Sequence, residues 1–426
     1  MSLPGAIVLV DGLAVECEVL HAVIRHGRDD PTTQPEADAA TIELVGELPA
    51  VATIGARVEL LAVDPWDAAE HERFAGLISD VRIGWASLDT PLATIIAVAE
   101  LADMGRRIIG DAPYPAELDG TRVNRAIASA GVTTDALRSD PGYLTVLARD
   151  VDAQPALVVA GDAAYDGGGF LWCAKDGAVL YADAYHRRAS EIALELVACD
   201  LPLELAWSLG LEGLANDVDV RYGVAPGGGE QPGVHADDPS SIARYGTHAA
   251  SLTTRLADES DAQARANLIV GRQAEPAWIL SSLGFPLQSP GVDYELTTAL
   301  LELELHDLVA VSGMPAGAPM TNAYVYVEGW TETIDPGAWQ LELLVSDYCR
   351  TAPPPEWDDV APGWLWDGLD PGMTWDAISC LPPFLVGYPD RWVDVPSSQR
   401  WDSLDPSIAW DEWAGRTRSR SRPDAR

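Results

Sequence analysis

Across the last 76 of 426 residues a tryptophan returns about every nine positions, and proline travels with it. Trp357, Trp366 and Trp375 are nine apart. Phe384 holds the next place, Trp392 follows after eight, and Trp401 and Trp410 resume the step of nine. The clearest copies are Trp366-Asp367-Gly368-Leu369-Asp370-Pro371 and Trp401-Asp402-Ser403-Leu404-Asp405-Pro406, which give a unit W-D-x-[LVI]-x-P-x-x-x repeated about six times. Proline fixes φ and removes a donor, so no unit can sit inside a continuous helix or a central strand. A chain of Asp-capped turns, each presenting one indole, satisfies the pattern. An indole has roughly 150–250 Å² to cover, so these side chains need a surface. Three remain open: this chain's own domains, a neighbouring subunit along which the segment runs as a strap, or a carbohydrate. The spacing is far below the roughly 40 residues of a WD-type propeller blade. Trp357, Trp366, Trp375, Trp392, Trp401 and Trp410 are therefore the candidate partner-docking residues.

The preceding 350 residues have a different grammar. Short apolar runs at Ala14–His21, Ala40–Val45, Arg57–Val63, Phe74–Ile83 and Leu92–Ala99, separated by Gly, Pro and Asp, read as strands. Arg28–Ala39 is polar throughout and reads as a long hairpin loop. From about Leu101 the pattern mixes. Thr121–Ala130 has helical spacing and stops at Gly131, with Asp119 or Thr121 as cap, and Ala153–Ala164 suits a second helix. Gly168–Ala184 reads as a hairpin turning at Lys175-Asp176-Gly177. Strands are expected again at Ile192–Val197, Leu203–Leu209 and Val218–Gly223. A glycine-rich loop follows at Pro226–Pro239, then a strand at Ser251–Leu256. The helix 258–273 should turn one face of Ala264, Leu268 and Gly271 inward. Trp278–Phe285, Tyr294–Leu305, Val309–Val311, Ala323–Thr333 and Trp339–Val345 read as strands. The expected class is mainly β with an α+β insertion, divided as 1–105, 106–190, 191–350 and an extended segment 351–426 with a basic tail from Arg416 to Arg422.

Charge narrows the function classes. With 66 acidic against 27 basic residues the net charge is −39, which repels phosphates and disfavours sequence-specific nucleic-acid binding. The last 76 residues hold 13 acids and 7 bases, so −33 belongs to the first 350. Lys175 is the only lysine; the other basic residues are arginines. No stretch reaches about 18 apolar residues, so no membrane span is expected, and Met1–Ala6 lacks the basic region of a signal peptide. Five scattered cysteines form no C-x-x-C pair and read as buried small hydrophobes. No catalytic spacing survives. His71-Glu72 lacks its second histidine, Gly167–Gly169 and Gly227–Gly229 lead into no G-K-[ST], and Asp217-Val218-Asp219 lacks the closing glutamate of a calcium loop. No enzyme activity, cofactor or metal is expected.

Several local patterns occur together in order. Phe74-Ala75-Gly76-Leu77-Ile78-Ser79-Asp80-Val81 matches F-x-G-x-I-x-x-V, and Ile95–Leu101 follows. The Gly168–Ala184 hairpin comes next, then Arg244-Tyr245-Gly246 ahead of Thr253–Ala257 and a helix reaching Pro276. Val327-Glu328-Gly329-Trp330 through Trp339–Leu343 closes the series, with Thr333 near a place where a histidine is usual. Over residues 1–350 this order resembles the minor tail proteins of actinobacteriophages, related to the baseplate-hub family of long-tailed phages. The resemblance implies two tail-tube-like β-barrel domains, one at each end of residues 1–350, and a homotrimer that closes the tail tube. It further implies a structural role in host attachment and DNA ejection. The implied partners are the distal tail protein and tail tube, the tape-measure protein and other tail-tip proteins. The implied location is the virion tail tip, after synthesis in the host bacterial cytoplasm. A carbohydrate-binding or cell-wall-degrading virion protein, with host surface glycans as partner of the tryptophans, is the alternative.

Overall fold

Short apolar runs make the first hundred residues into strands. In a computed structural model they form β1 (Gly5–Val10), β2 (Leu13–Ala14), β3 (Glu18–Gly27), β4 (Ala39–Val45), β5 (Arg57–Val63), β6 (Glu70–Ser87) and β7 (Thr90–Val98). Burial alternates along β4, β5 and β7, because successive residues of a strand face opposite sides. One face buries Ala22 and Ile24 of β3, Ile42 and Leu44 of β4, Val58 and Leu60 of β5, and Ile95 and Ala97 of β7. The structure describes residues 5–351, apart from 29–32, 35, 65, 88, 111–112, 190, 201–203, 212, 225–229 and 290–291. The described residues up to Thr351 belong to one compact unit; the expected extended segment 351–426 lies, beyond Thr351, outside the described residues.

The middle of the chain is α+β. It holds α1 (Glu100–Met104), β8 (Ile108–Ile109), β9 (Glu117–Leu118), α2 (Asp119–Ala130), β10 (Thr145–Val146), β11 (Gln154–Pro155), α3 (Ala156–Gly167), β12 (Phe170–Cys173) and β13 (Val179–Ala182). Helix α2 stops at Gly131, whose φ of 65° is the left-handed end expected from the sequence. Its cap differs from expectation. The N-cap is Leu118, and the Asp119 carboxylate is spent elsewhere, accepting from Tyr143 N (2.8 Å), Leu144 N (3.1 Å) and the Tyr181 hydroxyl (2.5 Å). The hairpin β12–β13 is apolar throughout because both faces are buried. Trp172, Leu180 and Ala182 join the core of the large sheet, while Leu171, Cys173, Val179 and Tyr181 pack with α2 and α3.

The remainder comprises β14 (Ile192–Val197), β15 (Glu204–Leu209), β16 (Asp217–Arg221), β17 (Gly233–Asp237), α4 (Pro239–Tyr245), β18 (Ala249–Thr253), α5 (Glu259–Gln273), β19 (Trp278–Pro286), α6 (Tyr294–Glu302), β20 (Leu308–Ser312), β21 (Ala323–Asp335), β22 (Ala338–Asp347) and α7 (Tyr348–Thr351). Tyr294–Leu305, read as a strand, is helix over Tyr294–Glu302. The Asp293 side chain accepts from Leu296 N and starts it, and Thr297, Leu300 and Leu301 then fall on one buried face. Helix α5 buries Ala262, Ala266 and Val270 rather than the expected Ala264 face. These pack on a three-stranded sheet in the order β17-β16-β18, with β16 and β18 parallel. Asp217 and Asp219 lie in β16, a strand and not a loop.

Two barrels were expected, one at each end of residues 1–350. Instead both ends join one open thirteen-stranded sheet, in the order β15-β19-β22-β21-β3-β4-β7-β6-β5-β1-β2, with β20 on β21 and β14 parallel to β20; no ladder closes among the described residues. The seam is β3 against β21, running antiparallel from Gly27↔Gly329 to Ala22↔Ile334. Two glycines permit the approach at its end. A Cβ on Gly27, whose φ is +79°, would lie 2.3 Å from the Glu328 carbonyl, and one on Gly329 would lie 2.5 Å from that of His26. Strand β21 is thirteen residues long, enough to carry β20 at its start, β3 at its end and β22 from Val325 to Asp335.

Candidate functional site

The seam carries a buried ionic network. Glu328, inside the apolar run Val325–Trp330 of β21, is 2% exposed. One of its carboxylate oxygens accepts from Arg28 Nε (2.8 Å) and a terminal Arg28 nitrogen (2.6 Å); the other accepts from Arg187 (2.7 Å) and from the Ser346 hydroxyl. Burial alone would raise this carboxyl; Arg187 and Arg28 overrule it and hold it well below the usual carboxylate range. Arg28 stacks 3.7 Å over the Phe170 ring, and Arg187 lies 4.5 Å from the centroid of Tyr326. Four segments distant in sequence are thus tied at one point: the end of β3, the turn at 186–189, β21 and β22.

Arg187 also donates to His306 Nδ1 at 2.6 Å. Burial, then the Arg187 charge, pushes this imidazole well below its ordinary pKa, so it is neutral. With Nδ1 accepting, its proton sits on Nε2, which is buried with no partner. His306 holds a φ of +74°, a strained left-handed conformation for histidine, with its backbone N–H bonded to Val327.

A second network crosses the same sheet. Arg73 of β6 meets Glu332 of β21 at 2.9 Å and donates to the Leu301 carbonyl at 2.7 Å, while Trp339 Nε1 donates to Glu332 at 2.8 Å. Lys175, at the β12–β13 turn, donates to the carbonyls of Leu301 and Leu303 and lies 5.3 Å from the Trp330 ring centroid. Burial, helped by Arg73, lowers its pKa to about 8.

Beside the first network opens a cleft of about 830 Å³, where the large sheet, the α+β region and the three-stranded module meet. Its charged lining is unlike the rest of the chain. It holds Arg28, Arg187, Arg265, Arg272 and Arg350 together with His186 and His306, but of the acids only Asp183 and Asp347. Gly167-Gly168-Gly169 and the end of β15 form part of its wall. Arg265 donates to the Asp166 carbonyl at 2.7 Å. Arg272 is half-buried, and its Nε and one terminal nitrogen are buried without an acceptor. Burial, then Arg187, lowers the Arg272 pKa to about 9.

The six tryptophans singled out in the sequence, Trp357, Trp366, Trp375, Trp392, Trp401 and Trp410, lie outside the described residues. Of the cysteines whose burial is described, Cys173 is buried but Cys17 is half-buried and Cys199 exposed, so the small-hydrophobe reading holds for Cys173 and not for Cys17 or Cys199. Among the described residues no three His, Cys, Asp or Glu side chains are arranged to hold a metal, and no helix is long and apolar enough to cross a membrane. The sequence reading missed the arginine cleft and the Glu328 network entirely. A lone acid at the centre of Val325-Tyr326-Val327-Glu328-Gly329-Trp330 was the available signal, since an unpaired carboxylate does not survive in such a run.

Neither a protein-family model nor a curated protein matches the sequence. Solved structures do match in three dimensions. The prophage MuSo2 43 kDa tail protein from Shewanella oneidensis aligns with a TM-score of 0.56 at 11% identity, over 81% of this chain and 99% of that one. The tail protein from Neisseria meningitidis MC58 aligns with a TM-score of 0.58 at 12% identity, over 82% of this chain and 98% of that one. This chain has the phage tail-protein fold. Prophage tail protein gp18 from Listeria monocytogenes EGD-e adds a TM-score of 0.50 at 11% identity, over 80% of this chain and 94% of that one. Two of these tail proteins are thus matched almost end to end, so the shared fold takes in the sheet, the α+β region and the three-stranded module together.

Proposed function

We propose that this chain is a structural protein of a tailed-phage virion, in the tail-tip hub that closes the tail tube and opens for DNA ejection. The observation that carries the reading is the near-complete coverage of two phage tail proteins by residues of this chain. The ordered motifs of residues 1–350 point to phages of actinobacteria. In this reading the protein works as a homotrimer against the distal tail protein and tail tube, the tape-measure protein and other tail-tip proteins. It has no catalytic activity of its own. Trp357, Trp366, Trp375, Trp392, Trp401 and Trp410 dock on neighbouring tail proteins.

The geometry suits a scaffold that must hold shape under load. Buried ion pairs give little net stability, but a pair broken by moving one partner leaves an uncompensated charge, so the arrangement of segments it joins is strongly preferred over alternatives. Arg28–Glu328–Arg187 and Arg73–Glu332 fix segments from the first ninety residues to β21 in the large sheet. The net charge of −33 on the first 350 residues means that three copies repel one another, and any acidic wall facing a channel repels DNA as it passes. Mass photometry of the purified protein, and its copy number in purified virions, test the assembly. Three copies per particle are expected, and a strictly monomeric protein in virions would remove the hub assignment.

A further inference from the structure

Buried donors without acceptors collect in one place. Arg272 Nε, a terminal Arg272 nitrogen, Arg265 Nε and His306 Nε2 are all buried and unpaired, and all belong to residues that line the arginine cleft. No carboxylate or other acceptor oxygen lining the cleft is left buried and unpaired in the same way. An unpaired buried donor costs free energy, and a charged one costs more. On a chain with 66 acids and 27 bases, a concave surface where Arg265, Arg272 and Arg350 remain after Arg28 and Arg187 are taken up by Glu328 is suited to an acceptor.

The walls say what kind of acceptor fits. Leu209, Leu268, Ile279 and Val345 line the same cleft as the arginines, and a small free anion has no use for them. Ser208 and Leu209 in the wall belong to β15, the edge strand of the large sheet, which pairs only with β19 among the described residues. Its other side presents backbone donors and acceptors to an incoming strand. Leu209 is 52% exposed and its neighbour Leu211 48%.

We propose that the cleft binds an acidic peptide segment of a partner chain, extended along β15, with its carboxylates drawing the guanidinium groups of Arg272 and Arg265, whose unpaired nitrogens are buried without the peptide, toward the cleft and its apolar side chains against Leu209 and Leu268. A planar guanidinium takes a carboxylate through paired, charge-assisted hydrogen bonds.

The test is fluorescence anisotropy on the full-length protein, with a short fluorescein-labelled peptide in which aspartate alternates with valine and leucine. The same peptide with asparagine for aspartate, and inorganic phosphate as competitor, are the controls. Saturable binding of the aspartate peptide is expected, weakened about tenfold or more both in the asparagine peptide and in Arg272→Met. Arg272→Met should also melt no lower than wild type without peptide, since it removes a buried charge that has no partner. That readout separates a lost site from a lost fold. Equal binding of the asparagine peptide, unchanged binding by Arg272→Met, or no saturable binding would overturn the proposal. Displacement of the peptide by equimolar phosphate would make this a site for free anions and overturn it as well.

Discussion

Replacing Glu328 by glutamine keeps the side-chain volume and removes the charge on which two buried arginines converge. The carboxylate takes two hydrogen bonds from Arg28, one from Arg187 and one from Ser346, and every side chain involved is nearly out of water. Arg28 keeps its bond to the Thr33 carbonyl and its stacking on Phe170, and Arg187 keeps His306, so the fold should survive. The loss should be about 3–5 kcal/mol, the usual cost of removing one partner from a buried pair. With an unfolding entropy of about 2.1 cal/mol/K per residue, a unit of this size should melt about 4–7 °C lower. The pH dependence gives a second check. Glu328 is held below its unfolded pKa, so its contribution is present above the ordinary carboxylate value and is lost as pH falls toward the folded one. The gap between wild type and Glu328→Gln, followed by calorimetry, should therefore narrow as pH drops from about 5 to about 3. Arg28→Met, Glu328→Leu and Arg187→Met together should cost less than Glu328→Gln alone. A gap below about 1 kcal/mol, or one indifferent to acid, would refute the network as the pin of the seam.

Other perturbations probe separate features. Asp166, whose carboxyl is raised to about 6 by burial, destabilises the fold once ionised. Asp166→Asn should be more stable than wild type by up to about 3 kcal/mol at pH 8 and nearly equal to it at pH 4, in denaturant melts at the two pH values. Gly329→Ala pushes a methyl group to 2.5 Å from the His26 carbonyl and should cost about 1–3 kcal/mol or more, while alanine at Gly271, which has open space around it, should be tolerated. Trp366→Ala, Trp375→Ala and Trp401→Ala should reduce incorporation of the chain into tails without changing binding of particles to host surface glycans. The opposite pattern in a pull-down on host cell walls would favour a carbohydrate-binding role.

What the sequence made legible was local. The hairpin at Lys175-Asp176-Gly177, the stop of α2 at Gly131 and the apolar runs that became β4, β5 and β7 follow from neighbours in the chain. The seam between β3 and β21 does not, because residues such as Ala22 and Ile334 pair across some three hundred positions, and nothing in either strand names its partner. Two barrels were the simplest closure for two sets of strands. The actual solution was to make β21 long enough to serve both. Tyr294–Leu305 misled because Leu, Thr and Tyr suit a strand as well as a helix, and only the Asp293 cap decides between them. The cleft was out of reach for a different reason. Arg28, Arg187, Arg265, Arg272 and Arg350 are scattered through the chain, and in so charged a protein each reads as solvated until the fold gathers them.

The most direct test of the central claim is cryo-electron microscopy of intact virions carrying a small tag on this chain. The account predicts tag density confined to the distal end of the tail tube, in three-fold register about its axis. Density along the tube, on the capsid, or nowhere on the particle would contradict it.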